Sequence, residues 1–415
     1  MNHYKNICLC VCLILLASCS GKTSKEITAD LWAGWEKAEV QMQEDFPEAI
    51  PIILVHGWNG GEFTWPEPDQ LIEMEKQMQR DIYLFTYRTG IFANRYPPLE
   101  VLEEQLDRYL EAHATVDVIA HSMGGLLVRH YLSHHANSSI RRVVFLATPH
   151  FGTNAAQVLV KLGSLGAEGN IQATEIQPGS DFLWQLNSLA GSELDSVQAL
   201  NVYLKNTSLL QGDFVVDEVS AYLPWAFNAT VEGRHHEMAK QLMDMDMVTD
   251  FVQNGILPEQ EAAAPARKDV WLRLRVRGEL AMLSENNFHA YSARGLPNNN
   301  FDLCCKLRSG LYARAGLNTV VIEDIEPGSA YKFTAREGYA VTTVFADDLL
   351  KLPHPVIMKY VDIDPIAESV PAASVPQAGL PQEAMPQESG GQGAMPQGGA
   401  EPEPADSEIQ PAQIP

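Results

Sequence analysis

The chain has 415 residues, 46% hydrophobic and 20% charged, so it can bury a substantial core and has room for two or three domains. Its formal charge of −24 excludes non-specific binding to nucleic acid, which needs a basic surface. The 6 cysteines exclude a disulfide framework, and with no CxxC or HExxH run no metal site is read from these familiar spacings.

At the N-terminus one Lys precedes an apolar run from Ile7 to Ala17, too short to span a bilayer and of the length of a signal h-region. The run ends in LASC, which resembles the lipobox of bacterial lipoproteins. The resemblance implies that residues 1–18 are a signal peptide and that Cys19 is lipidated. With Ser20 next, it implies an anchor in the cell envelope, at the outer membrane, and the rest of the chain outside the cytoplasm. Several acyl chains hold a protein on a membrane where one alone is marginal. Residues 19–45 then form a tether and helical lead-in, with Trp32, Trp35 and Val40 roughly on one side of a helix from Ala29 to Phe46.

Residues 46–260 alternate strand and helix. IPIILV (Ile50 onward, with Pro51 within) is the continuous apolar run of a buried parallel strand. DIYLFTY (Asp81 to Tyr87), VDVIA (Val116 to Ala120), RVVFLAT (Arg142 to Thr148) and VQALNVYL (Val197 to Leu204) follow, separated by helical stretches such as Leu99 to His113. This is an α/β domain with a mostly parallel sheet and helices on both faces. About 40 residues within 154–195 interrupt the sheet, as either a mobile lid or a pair of fixed helices.

EAAAPAR (261–267) is a plausible linker. From 268 to 363 the period changes to two, as in VWLRLRVRGEL, and short runs separated by turn signals predict a small all-β sandwich domain. IEPGSAYKFTA (Ile325 to Ala335) resembles the corner of fibronectin type III-like sandwiches. Adjacent Cys304 and Cys305 are expected to be thiols rather than a strained vicinal disulfide. Residues 364–415, with ten Pro and six Gly and no Lys or Arg, are expected to be a disordered acidic tail.

The chemistry is expected where VDVIA runs into HSMGG and then into LLVRHYL. Strand, sharp turn and helix place Ser122 at the apex of a nucleophile elbow, with Ala120 in place of the first Gly of G-x-S-x-G. The first strand leads into HGWNGG (His56 to Gly61), a loop able to aim a backbone N–H at the serine. Acyl transfer needs two such donors for its oxyanion, assigned to the amides of Trp58 and Met123. His56 is expected to serve its own loop. A serine needs an imidazole to take its proton and a carboxylate to orient that imidazole. In the order Ser, acid, His, the acid is Asp213, Asp217 or Glu218 and the base His235 or His236.

Elbow, HG loop, TPHFGT (Thr148 to Thr153) and PGSDFLWQLN (Pro178 to Asn187) together resemble bacterial serine lipases and the related inositol-deacylase group of α/β-hydrolases, over about Ile50 to Gln253. The resemblance implies Asp213, by its match to a D-G-V-V-type turn in which Phe214 replaces the Gly. It implies His236, three positions after Gly233. His121 is expected to pack beside the elbow, His150 and Gly152 to shape a nearby loop. His113, His130, His134 and His135 are expected to be solvated or satisfied helical imidazoles. The implied activity is a cofactor-free serine ester hydrolase acting on a lipid or other acyl ester. An acyltransferase on the same triad, or an idle envelope scaffold that binds partners through the sandwich or tail, are the alternatives.

Overall fold

The computed structural model describes residues 46–89, 97–153, 171–205, 216–276, 289–294, 302–303, 307–308, 317–334 and 342–363. Cys19, the helix expected from Ala29, the acid candidate Asp213, Cys304, Cys305 and the tail from 364 lie outside the described residues. Among the described residues no helix is long and apolar enough to cross a membrane.

Six strands form the first sheet: β1 (Ile52–Val55), β2 (Ile82–Phe85), β3 (Val116–His121), β4 (Ile140–Leu146), β5 (Gln198–Leu204) and β6 (Phe227–Val231). Their order is β2-β1-β3-β4-β5-β6, and every neighbouring pair is parallel. The apolar runs are continuous because both faces are covered. Ile53, Val55, Val118, Ala120, Val143 and Phe145 lie on one face, under α2 (Leu99–Leu110) and α3 (Met123–His134). Ile52, Leu54, Ile119, Val144, Leu146 and Val202 lie on the other, under α1 (Pro68–Met78) and the late helix Asp246–Asn254. The amphipathic stripe of α2, with Leu99, Leu102, Leu106 and Leu110 all buried, is the 3.6-residue repeat visible in its sequence.

The C-terminal strands make two four-stranded sheets. One has the order β10-β11-β7-β14, from β7 (Asp269–Val276), β10 (Leu307–Arg308), β11 (Leu317–Ile322) and β14 (Val356–Ile363). The other is β13-β12-β8-β9, from β8 (His289–Arg294), β9 (Asp302–Leu303), β12 (Ser329–Thr334) and β13 (Thr342–Phe345). Val270, Leu272, Val320 and Ile357 of the first meet Tyr331 and Val344 of the second in one apolar cluster, the interior of a sandwich. The pairing of β14 with β7 is parallel and the remaining pairs are antiparallel, so the sandwich is mixed.

The alternating residues of β7 are buried on both faces. Val270, Leu272 and Leu274 fill the sandwich, while Trp271 and Arg273, 1% and 3% exposed, face the α/β layers. There Trp271 joins Phe151, Leu183 and Trp184 in the same cluster that covers the parallel sheet. It meets the Phe151 ring edge-on at 5.7 Å and stacks on Trp184 at 6.4 Å. Arg273 pairs with Asp181 and lies 4.8 Å over the Trp184 ring. Trp184 Nε1 donates to the Tyr360 hydroxyl at 3.0 Å. These contacts fix the helix Asp181–Ser188, within the stretch where a lid was one expectation, between the two layers; residues 154–170 of that stretch are outside the described residues. The 261–267 segment is also tied down: Ala262 N–H donates to Asn228 O, and Arg267 bridges Asp217 and Asp269.

A shared core requires shared unfolding. Trp271→Ala should cost about 3–5 kcal/mol, the usual range for a buried large-to-small change, and should shift a single urea transition of the whole folded unit. Early loss of the sandwich with the α/β transition left in place would show that the cores are separate.

Candidate active site

Ser122 stands between β3 and α3 with φ 55° and ψ −129°. A non-glycine residue at positive φ carries strain of about 1–3 kcal/mol and persists only where its surroundings over-determine it. Here Ser122 N–H donates to Leu146 O at 2.8 Å, and Gly125 N–H closes the turn on Ser122 O at 3.0 Å. The serine is 8% exposed. Ala120, the departure from the usual glycine, sits in regular β3 pairing and is fully buried, so its Cβ is core rather than an obstacle.

The HG loop is pressed against this turn. A Cβ on Gly57 would lie 2.5 Å from Ser122 Cβ and 3.1 Å from Ser122 Oγ. One on Gly124 would lie 2.4 Å from His56 O, so α3 also begins in contact with the end of β1. Within the loop, Asn59 N–H donates to Thr89 Oγ1, Gly60 N–H to Gly57 O and Gly61 N–H to Thr64 Oγ1. The amides of Trp58 and Met123 have no hydrogen-bond partner among the described residues. The loop's shape rests on His56. Its Nδ1–H donates to Gly57 O at 2.9 Å and its Nε2 accepts from Tyr87 N–H at 3.1 Å, while the ring stacks on Tyr87 at 4.2 Å. Burial lowers its pKa to about 4, so the ring is neutral and structural, as its place in the loop leads one to expect.

The histidine candidates arrive on the short helix Arg234-capped at His235–Met238. His121 Nε2 lies 2.9 Å from His235 O, and the two rings are 4.8 Å apart. A carbonyl only accepts, so Nε2 carries the proton, and the buried Nδ1 has no partner among the described residues. Burial, then the neighbouring His235, lower the His121 pKa to about 3. His121, the residue preceding Ser122, therefore tethers the histidine segment to the elbow, a polar role that packing beside the elbow does not convey. The His236 side chain is 67% exposed, with Nε2 3.7 Å from Glu237 Oε1. Among the described residues, no hydrogen bond joins Ser122 Oγ to either imidazole. Of the acid candidates, Asp217 is engaged elsewhere: Oδ1 caps the helix Glu218–Ala221 through Val219 N–H, and Oδ2 binds Arg267 at 2.5 Å.

Beneath the elbow runs a buried polar network that sequence alone does not reveal, because its members are far apart in the chain. Arg129 Nε and Nη2 donate to Glu193 Oε1 at 2.9 and 2.6 Å, and Nη1 to Asn187 Oδ1 at 3.1 Å. The same Nη1 reaches His150 Nδ1 at 3.4 Å, so His150 Nε2–H donates to Asn201 Oδ1 at 3.1 Å. Burial, then the Arg129 charge, hold the His150 pKa well below its ordinary value. The TPHFGT segment thus shapes its loop through His150, locked between α3 and β5.

The sequence matches the model of the α/β hydrolase fold over residues 50–275. No curated protein matches it. Among solved structures, it is similar to phospholipase PlaB from Legionella pneumophila in complex with thio-NAD, at 14% identity and a TM-score of 0.50, over 78% of this chain and 97% of that one. It is also similar to the Bacillus licheniformis lipase BlEst2 in propeptide form, at 16% identity and a TM-score of 0.43, over 70% of this chain and 72% of that one. With more than half of its length matched, the chain belongs to the α/β hydrolase fold family.

Proposed function

We propose that the protein is a serine carboxylic-ester hydrolase of the lipase or esterase kind, held on the cell envelope through Cys19. The observation that carries this is Ser122 in a strained turn with the Gly57 backbone packed against its side chain. Such a turn gives a serine little structural benefit, and a hydroxyl held there can meet a carbonyl carbon while neighbouring amides meet its oxygen. Ser122 Oγ attacks the ester carbonyl as His236 accepts its proton, and Asp213 holds the imidazole tautomer. The N–H groups of Trp58 and Met123, without partners among the described residues, stabilise the oxyanion. His236 returns the proton to the leaving alcohol, and water releases the acyl group by the same steps. No cofactor enters this chemistry. With an alcohol in place of water, the same residues would perform acyl transfer.

His235 is the second choice of base, favoured by its ring lying 4.8 Å from that of His121. His→Ala variants at both positions separate the two. The base variant should lose about three or more orders of magnitude in kcat/KM, and the other should stay within about tenfold of wild type.

Hydrolysis of p-nitrophenyl esters from acetate to palmitate, with Ser122→Ala in parallel, tests the whole proposal. Activity should fall by about three or more orders of magnitude in the variant, and the preferred chain length divides esterase from lipase. A folded protein that hydrolyses none of the series and ignores a fluorophosphonate probe is a scaffold instead. Gly57→Ala should push the loop away from Ser122 and cost about 10²-fold in kcat, with KM changing far less. A loss confined to KM would remove the HG loop from the oxyanion site.

A further inference from the structure

At the end of α3 remote from Ser122, three ligand-type side chains from two helices converge. His130 and His134, one turn apart on α3, face Glu103 of α2. His130 Nε2 is 3.6 Å from Glu103 Oε2, and His134 Nδ1 is 3.1 Å from the same oxygen. One donor atom from each of the three lies within 4.8 Å of the others. Tetrahedral zinc holds N and O ligands at about 2.0–2.2 Å, which sets them roughly 3.3–3.6 Å apart. The two distances to Glu103 therefore need little adjustment to enclose an ion.

Two further observations point to a ligand. The Glu103 side chain is only 9% exposed, and the groups that face its carboxylate are the imidazoles of His130, His134 and His135. Among the described residues, buried His130 Nε2 makes no hydrogen bond although it is aimed at that carboxylate. His135 sits just outside, with Nδ1 donating to Tyr131 O at 2.9 Å while lying 3.4 Å from Glu103 Oε1 and Nε2 3.3 Å from Asp107 Oδ1. It is placed to orient the carboxylate rather than to ligate. His134 is half-exposed, so the ion has an entry path and water can complete its shell.

We infer that Glu103, His130 and His134 form a site for a divalent zinc-class ion that pins α2 to α3. Two nitrogens and one oxygen suit zinc or its late first-row neighbours, whereas calcium and magnesium require oxygen sets. The site is distinct from the elbow, and its role is to brace the helix that begins at Met123.

The full mature chain, purified without a histidine tag and stripped with EDTA, should be titrated with Zn2+ by calorimetry and with Co2+ by visible absorption. One equivalent should bind, with tetrahedral-type cobalt bands, and saturating zinc should raise the thermal midpoint by about 5 °C. Half-exposed His134→Ala, which should fold normally, and Glu103→Gln should each weaken binding at least tenfold and remove most of the thermal shift. No stoichiometric zinc at micromolar concentration would overturn the site. So would binding that is equal in wild type, His134→Ala and Glu103→Gln, since the ion would then lie elsewhere.

Discussion

Around Ser122 three pieces of backbone approach more closely than side chains permit, and the rest of the site is built on that closeness. β1 ends against the start of α3, where a Cβ on Gly124 would lie 2.4 Å from a carbonyl oxygen. The HG loop then turns across the serine, leaving 2.5 Å between a would-be Gly57 Cβ and Ser122 Cβ. A parallel sheet makes this possible, because β1 and β3 are neighbours and deliver both loops at the same edge. The strain at Ser122 is held by pairing with Leu146 O at the end of β4. Three adjacent strands therefore fix one dihedral angle, and the elbow is a property of the sheet rather than of five residues.

The buried polar groups serve the same end. Arg129 and Glu193 are completely buried, and a pair of that kind is costly unless its remaining hydrogen-bonding groups are met. Asn187 and His150 supply part of that demand, linking α3 to the segment after β4 and to β5. Removing one member would strand charge in the core, so the network specifies how α3 lies on the sheet even if it adds little net stability. The sandwich extends the same logic. Arg273 and Trp271 pack on Asp181 and Trp184, so the face of the α/β layers that would otherwise be wet becomes core.

Much of this is legible in the sequence, for identifiable reasons. β1, β3 and β4 can be read because a strand buried on both faces is a continuous apolar run, and α2 because its leucines recur at helical spacing. The elbow can be read because strand, small residues and helix are contiguous. β6 is hidden, since FNATV at the sheet edge is short and polar. β7 shows its period of two, but alternation does not say whether the polar-looking face meets water or another layer. Arg273 lies under a helix that is some 90 residues earlier in the chain, and nothing local marks it. Glu103 with His130, and Arg129 with Glu193, are equally invisible, because each pair exists only after two helices or loops are docked.

The histidines show how burial narrows the search for a base. His56, His121 and His150 are all near the elbow or beneath it, and all are held neutral by desolvation with both their tautomers and their partners fixed. A general base must become a cation during the reaction and then release its proton, which a ring locked in a dry site with a committed N–H cannot do without breaking the contacts that hold it. His121 Nδ1 has no partner among the described residues, but its Nε2–H is the tether for His235, and protonating the ring would charge a buried group. In the proposed mechanism the proton-accepting role falls to the segment that His121 holds in place. There the His236 side chain is 67% exposed. In that mechanism the residue before Ser122 contributes by tethering the histidine segment while itself staying uncharged.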